Sequence, residues 1–277
     1  MIPGKTVQNL RHLSASLGSL FFLFNHASPQ KALRVLGLSR KPIIIGGCGR
    51  SGTTLLLSVL SCHPAILGIA PETVALCPDG YGPDGLYNQN PDLNVPFEIH
   101  KIYRYLLEVD IDKRAKRWCE KTPRNVLYFE RILRHFGKQA RLIHVVRDGR
   151  AVITSRHPLY PDRFWTTPDR WVQDVTAGLE FENHPQVFTI RYEDLLLEYE
   201  KTVRSICGFL HEEFVDEFLD YPETSTVKLH MAWPGGPRAI STSSIAKWQK
   251  PEFCDMIEAF LQAPEVVNLL DRLGYLK

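Results

Sequence analysis

The stretch that most constrains what this chain can become is Lys41–Pro64, KPIIIGGCGRSGTTLLLSVLSCHP. Ile43, Ile44 and Ile45 are an apolar run without polar alternation, the pattern of a short strand buried on both faces. A glycine-rich loop follows, whose backbone can turn its N–H groups inward. Gly52-Thr53-Thr54 then opens a helix carrying Leu55, Leu56, Val59 and Leu60 at helical spacing. Strand, loop and helix N-terminus together make an anion cradle, since unpaired N–H groups and the helix dipole face the loop. Gly47–Thr54 matches G-x-x-x-x-G followed by two hydroxyl residues, but Thr53 stands where a nucleotide-phosphate loop carries lysine. The positive charge sits on Arg50 instead.

The rest of the chain alternates between strand and helix patterns. Short strands are predicted at Ile66–Ile69, Arg117–Glu120, Arg141–Val146 and Val187–Ile190. Helices are predicted at Phe97–Val109, Asn125–Phe136 (stopped by Gly137), from the Asp148 turn through Arg156, Asp169–Glu182, Glu193–Leu210 with a break near Lys201, Glu252–Leu261 and Pro264–Leu273. This implies an α/β fold, a central mostly parallel sheet with helices on both faces, in three layers built on the phosphate loop. Ligands of such sheets bind at the carboxyl ends of the strands. Two irregular segments, Cys77–Pro96 and Pro222–Ser244, are dense in turn residues. The first, with Tyr81 and Tyr87, reads as a lid.

At 277 residues the chain can bury a substantial core in one α/β domain. A net charge of +2 supplies no field suited to a nucleic-acid duplex, though a local basic pocket for a small anion stays open. The six cysteines show neither C-x-x-C nor zinc spacing and read as reduced thiols of a cytoplasmic protein. Leu13–Phe24, behind Lys5 and Arg11, is an apolar run too short to span a bilayer. It fits a helix in an N-terminal extension, residues 1–40, ahead of the main domain at 41–277. If residues 1–27 were a targeting segment, the protein would be membrane-associated or lumenal.

Arg147 ends a strand and Ser155 follows eight residues on, which together could hold a phosphate monoester. Equally, Arg147 could cap the sheet edge and pair with Asp148. Two anion sites imply a ligand with anionic groups at two places.

In these motifs the chain resembles the PAPS-dependent sulfotransferases, closest to the tyrosylprotein sulfotransferases and the bacterial-type enzymes allied to them. GGCGRSGTTLL is similar to their loop for the 5′-phosphosulfate, and VVRDGRAVITS to their 3′-phosphate motif. His63-Pro64, Glu72-Thr73, Cys119-Glu120-Lys121, Tyr192-Glu193 and Lys247-Trp248 follow the same family in order. The resemblance spans residues 42–275.

It implies a sulfotransferase that moves the sulfuryl group of PAPS to a hydroxyl on a small molecule, glycan or peptide, leaving PAP. Arg50 with Gly49, Ser51, Gly52, Thr53 and Thr54 would hold the 5′-phosphosulfate. Arg147, Ser155 and Tyr192 would hold the 3′-phosphate and adenine, with Ser241 or Ser243 and Lys247 completing the donor site. Glu72 would be the base, with His63, His100 and His157 as lesser candidates, and Lys121 would stabilise the leaving oxygen. Each has a plainer reading: Glu72 as a turn residue, Lys121 as a surface charge, Tyr192 as core, Trp248 as packing. A sulfuryl group carries less charge than a γ-phosphoryl, so no metal is expected. Neither nucleic acid nor firm membrane association is expected.

Two positions depart from the tyrosylprotein enzymes. Val74 replaces an arginine that grips acidic peptides, and Cys119 lacks its disulfide partner. Both favour a soluble bacterial-type enzyme with another acceptor. A P-loop kinase and a non-catalytic nucleotide-binding relative are the alternatives.

Overall fold

A computed structural model of the chain describes residues 18, 20–82, 86–157, 160–228 and 235–276. Half of the N-terminal apolar run (13–17 and 19) and residues 83–85 of the predicted lid therefore lie outside the described residues. The sheet has five strands, β1 (Ile43–Gly47), β2 (Ile66–Gly68), β3 (Arg117–Lys121), β4 (Arg141–Val146) and β5 (Val187–Arg191). Their order is β2-β3-β1-β4-β5, and every pairing is parallel rather than mostly so. The isoleucine strand is central, with Ile43 opposite both Cys119 of β3 and Arg141 of β4.

Alternation along the strands separates the two cores. Ile44, Trp118 and Leu142 face one side, under α1 (Pro29–Leu38), α3 (Ile99–Glu108) and α4 (Phe129–Phe136). Ile43, Ile45, Cys119, Ile143 and Val145 face the other, under α2 (Thr53–Leu60), α7 (Tyr192–Leu197) and α8 (Tyr199–Leu210). A third cluster, with Cys48, Val146 and Trp171, lies beyond the strand ends. It packs α5 (Gly149–Ile153), α6 (Pro168–Leu179), α9 (Cys254–Phe260) and α10 (Pro264–Arg272) around the loop that follows β1.

Three predicted helices change shape. Asn125–Phe136 is an α-helix only from Phe129; Pro123–Tyr128 is a tighter 3₁₀ turn. Asn125 there points inward and donates to the Ile45 carbonyl at 3.2 Å, which pulls the turn onto β1. Its approach is close, because a Cβ on Gly46 would meet the Val126 nitrogen at 2.7 Å. The helix after Arg147 stops at Ile153 rather than Arg156. Thr154 and Ser155 turn their hydroxyls back onto the carbonyls of Arg150 and Ala151, each at 2.7 Å, a geometry that competes with helix continuation. The break expected near Lys201 falls at Glu198, bridged by the Thr202 hydroxyl donating to the Asp194 carbonyl at 3.0 Å.

All six cysteines are free thiols, five of them buried. Among the described residues no helix is long and apolar enough to cross a membrane.

Candidate active site

The loop from Cys48 to Gly52 joins β1 to α2. Gly52 takes a φ of 92°, and a Cβ there would run into the ring of Tyr192, the first residue of α7. Arg50 also has a positive φ, 71°, uncommon for a residue with a side chain. Thr53 and Thr54 form the first turn of α2, which contains no acidic residue. The buried Ser51 hydroxyl and the Arg50 Nε have no hydrogen-bond partner among the described residues. Burial, then the charge of nearby Arg147, lowers the pKa of Arg50 below its ordinary value. Two neighbouring arginines with unpartnered nitrogens leave a deficit of negative charge beside the loop, the electrostatic profile of an anion site.

Arg147 lies at the end of β4 and reaches across this loop. Its Nη1 donates to the Arg50 carbonyl and its Nη2 to the Ser244 carbonyl, both at 2.9 Å. The guanidinium stands 4.3 Å from the centre of the Tyr192 ring, while its Nε has no partner. The pairing with Asp148 that the sequence left open does not form. Asp148 instead caps α5 and holds Arg150 through both carboxylate oxygens, at 2.8 to 3.1 Å.

Ser155 lies just beyond α5, its hydroxyl donating to Ala151 O. Of the four hydroxyl residues Ser241–Ser244, the one joined to this cluster is Ser244, whose Oγ lies 2.8 Å from the Tyr192 hydroxyl. Ser241 and Ser243 bond each other at 3.0 Å on the exposed face, and Lys247 is exposed one turn later. Arg238 is exposed too. Trp248 packs 3.9 Å from the Arg150 guanidinium, as the plainer reading had it.

Glu72 and Lys121 meet at the carboxyl ends of β2 and β3. Lys121 is wholly buried rather than a surface charge, and its Nζ donates to Glu72 Oε1, while the Glu72 side chain is 28% exposed. Beneath them lies a residue to which sequence reasoning gave no role, Glu120. Its buried carboxylate accepts from Thr73 Oγ1 at 2.9 Å, Thr122 Oγ1 at 2.6 Å and Asn125 Nδ2 at 2.7 Å. Burial pushes the Glu120 carboxyl above the usual range, while those three donors hold it down. Glu120 thus ties the residues flanking Glu72 and Lys121 to one anchor. Its only signal in sequence was a charged residue inside an otherwise buried strand. Val74 follows at a φ of 55°, a strained value for a β-branched residue.

The histidines divide. His63 has both ring nitrogens engaged by backbone, at Glu213 O (3.1 Å) and Ala65 N (3.0 Å). His100 lies near Phe22, the ring centres 6.1 Å apart. His157 lies with its ring centre 4.2 Å from that of Trp165, tilted by 58°, its pKa lowered by burial and then by the Arg50 charge.

The predicted lid lies against the 160–173 segment. Tyr87 OH is 2.7 Å from Thr167 Oγ1, Arg124 donates to Asn88 O at 2.6 Å, and Gln173 donates to Gln89 O at 3.0 Å. A separate apolar cavity of about 300 Å³ lies behind this segment, lined by Ile153, Phe164, Met256 and Phe260 among others, and contains none of the predicted site residues. Among the described residues no three His, Cys, Asp or Glu side chains gather as a metal site would.

The comparisons with known proteins agree with one another. A model of the sulfotransferase family matches residues 42–216, more than half of the chain. Protein-tyrosine sulfotransferase A of Caenorhabditis elegans is 24% identical over 260 residues, spanning 84% of this chain and 67% of that protein. The sulfotransferase domain from the curacin biosynthetic pathway has a TM-score of 0.54 at 21% identity, over 85% of this chain and 97% of that one. A mouse sulfotransferase complexed with PAP has a TM-score of 0.50 at 16% identity, over 87% and 92%.

Proposed function

This chain belongs to the sulfotransferase family, and we propose that it transfers a sulfuryl group from PAPS to a hydroxyl acceptor with Glu72 as the base. The observation that carries this reading is the double arginine site, where Arg50 and Arg147 share one wall with Tyr192 and each keeps a buried Nε without a partner. A donor with anionic groups at two places fits it: the loop amides, Arg50, Thr53 and Thr54 would hold the 5′ end, and Arg147 and Ser155 the 3′-phosphate. Tyr192 would line the base site beside Ser244, with Ser241, Ser243 and Lys247 at its exposed rim. PAPS supplies an activated sulfuryl group on a phosphoanhydride oxygen.

The residues then divide the work of an in-line displacement. Glu72 takes the proton of the acceptor hydroxyl as its oxygen bonds to sulfur on the side opposite the leaving group. Lys121 and Arg50 stabilise the negative charge that develops on the bridging oxygen as its bond to sulfur breaks. Lys121 begins paired with Glu72, which keeps the two side chains within reach of one reaction line. Glu120, through Thr73 and Thr122, fixes both partners from below. With Lys121 and Arg50 both taking up the developing charge, no step needs a metal.

The test is thermal stability with added nucleotide. PAP is expected to raise the melting temperature equally with and without magnesium. Protection by ATP with magnesium and none by PAP would overturn the reading in favour of a kinase.

A further inference from the structure

A third arginine next to the phosphate loop is left unexplained by donor binding. Arg170, in the first turn of α6, is 1% exposed, yet its Nη2 has no hydrogen-bond partner among the described residues. Its Nε makes a long contact of 3.4 Å with Asp174. Asp174 is already engaged by Arg124 at 2.7 Å, and Arg124 also holds Gln173 and Asn88. Asp174 thus faces two buried arginines, Arg124 and Arg170, and the three side chains together carry one net positive charge. An uncompensated buried cation is costly unless a ligand anion completes it.

Arg170 lies between the phosphate loop and the lid. Three rings surround its guanidinium, Tyr87 at 4.9 Å, Tyr81 at 5.8 Å and Trp165 at 6.0 Å. Two come from the lid and one from the segment the lid rests on. The Tyr81 hydroxyl has its pKa raised by burial and then by the charge of Glu72, while the charge of Arg170 lowers it. On the loop side the approach is tight. A Cβ on Gly49 would stand 3.2 Å from Arg170 Nη2 and 2.6 Å from Trp165 Nε1, so two N–H donors flank one face of Gly49.

We propose that Arg170, with Trp165, is the anion-binding element of the acceptor site, and that the hydroxyl compound sulfated here carries a carboxylate. Resting on the sulfotransferase reading, this places the acceptor hydroxyl at Glu72 and its carboxylate at Arg170, under Tyr81 and Tyr87. A planar carboxylate suits a guanidinium edge with a second N–H donor beside it. The role is one of specificity: Arg170 selects and orients the acceptor and takes no part in the proton or sulfuryl transfer.

The experiment compares 4-hydroxyphenylacetate with its neutral isostere 4-hydroxyphenylacetamide, binding to the PAP-saturated full chain by calorimetry. The carboxylate is expected to bind roughly tenfold or more tighter. Arg170→Gln should abolish that preference, and Arg170→Lys should retain part of it. PAP affinity should stay within about twofold in both variants, since Arg124 and Asp174 remain a balanced pair. Equal affinity for the two probes in the wild type, or a preference that survives Arg170→Gln, overturns the proposal. So does a loss of PAP affinity in Arg170→Gln that leaves the preference intact, which would assign Arg170 to the donor. Failure of the wild type to bind PAP bears on the sulfotransferase reading, while the same probe comparison run without nucleotide still decides the role of Arg170.

Discussion

The Arg147 guanidinium lies 4.3 Å from the centre of the Tyr192 ring, and the same ring fills the space that a side chain on Gly52 would need. One aromatic residue at the end of β5 therefore joins the loop after β1 to the arginine after β4. The two halves of the proposed donor site pack on one ring, and each can be disturbed in turn.

Gly52→Ala tests the loop half. The new methyl would meet Tyr192 at a φ of 92°, and left-handed backbone at a non-glycine residue costs about 1–3 kcal/mol. PAP affinity measured by calorimetry should fall about tenfold or more. The same loss is expected of AMP, because the 5′ end is the part misplaced. Unchanged affinity would mean that the loop does not touch the nucleotide.

Arg147→Ala should act on the 3′-phosphate alone. Removing one charge-assisted contact costs about 1.5–3 kcal/mol, so the wild-type preference for PAP over AMP should shrink by about tenfold or more. AMP binding itself should change little. A uniform weakening of both nucleotides would show that Arg147 supports the loop through its bond to the Arg50 carbonyl rather than reading the phosphate.

Glu72→Gln keeps the shape of the side chain and removes the base. Loss of a positioned general base lowers the rate by about 10²–10⁴-fold; kcat should fall in that range, with PAP affinity within about twofold. Lys121→Met should also lower kcat, and it leaves Glu72 without its buried ammonium partner. If Glu72→Gln leaves turnover of any acceptor unchanged, the base is another residue.

His144 predicts the acid response of the fold. It sits on β4 against Gly178 of α6, where any side chain on the glycine would overlap its ring. Both ring nitrogens are buried without partners, and burial holds its pKa down at about 3. The unfolded chain has a histidine pKa near ~6.5, so between that value and 3 the unfolded state binds the extra proton. Stability from this residue is complete above pH ~6.5 and declines as pH falls, by about 1.4 kcal/mol per unit. Thermal melts from pH 7 to pH 5 should drop by several degrees in the wild type. They should drop less in His144→Met, which removes the titration and leaves no orphan nitrogen. Equal drops would place the acid sensitivity elsewhere.

What the sequence by itself determined is whatever resides in a window of about ten residues. Ile43–Ile45, the glycine loop and the hydrophobic spacing of α2 are local patterns, legible because strand and helix periods and turn chemistry are properties of neighbouring residues. The ordered motifs from Arg50 to Lys247 were legible for the same reason. The tertiary structure decided which distant residues meet. Glu72 and Lys121, 49 positions apart, pair only because β2 and β3 lie side by side in the sheet. Ser244 rather than Ser241 or Ser243 reaches Tyr192, and Asp148 holds Arg150 rather than Arg147, through rotations of a single turn that no periodicity records. Glu120 and Arg170 look ordinary as letters in the chain. Their roles come from burial, which turns a charged side chain into either an anchor with every oxygen satisfied or a guanidinium still short of a partner.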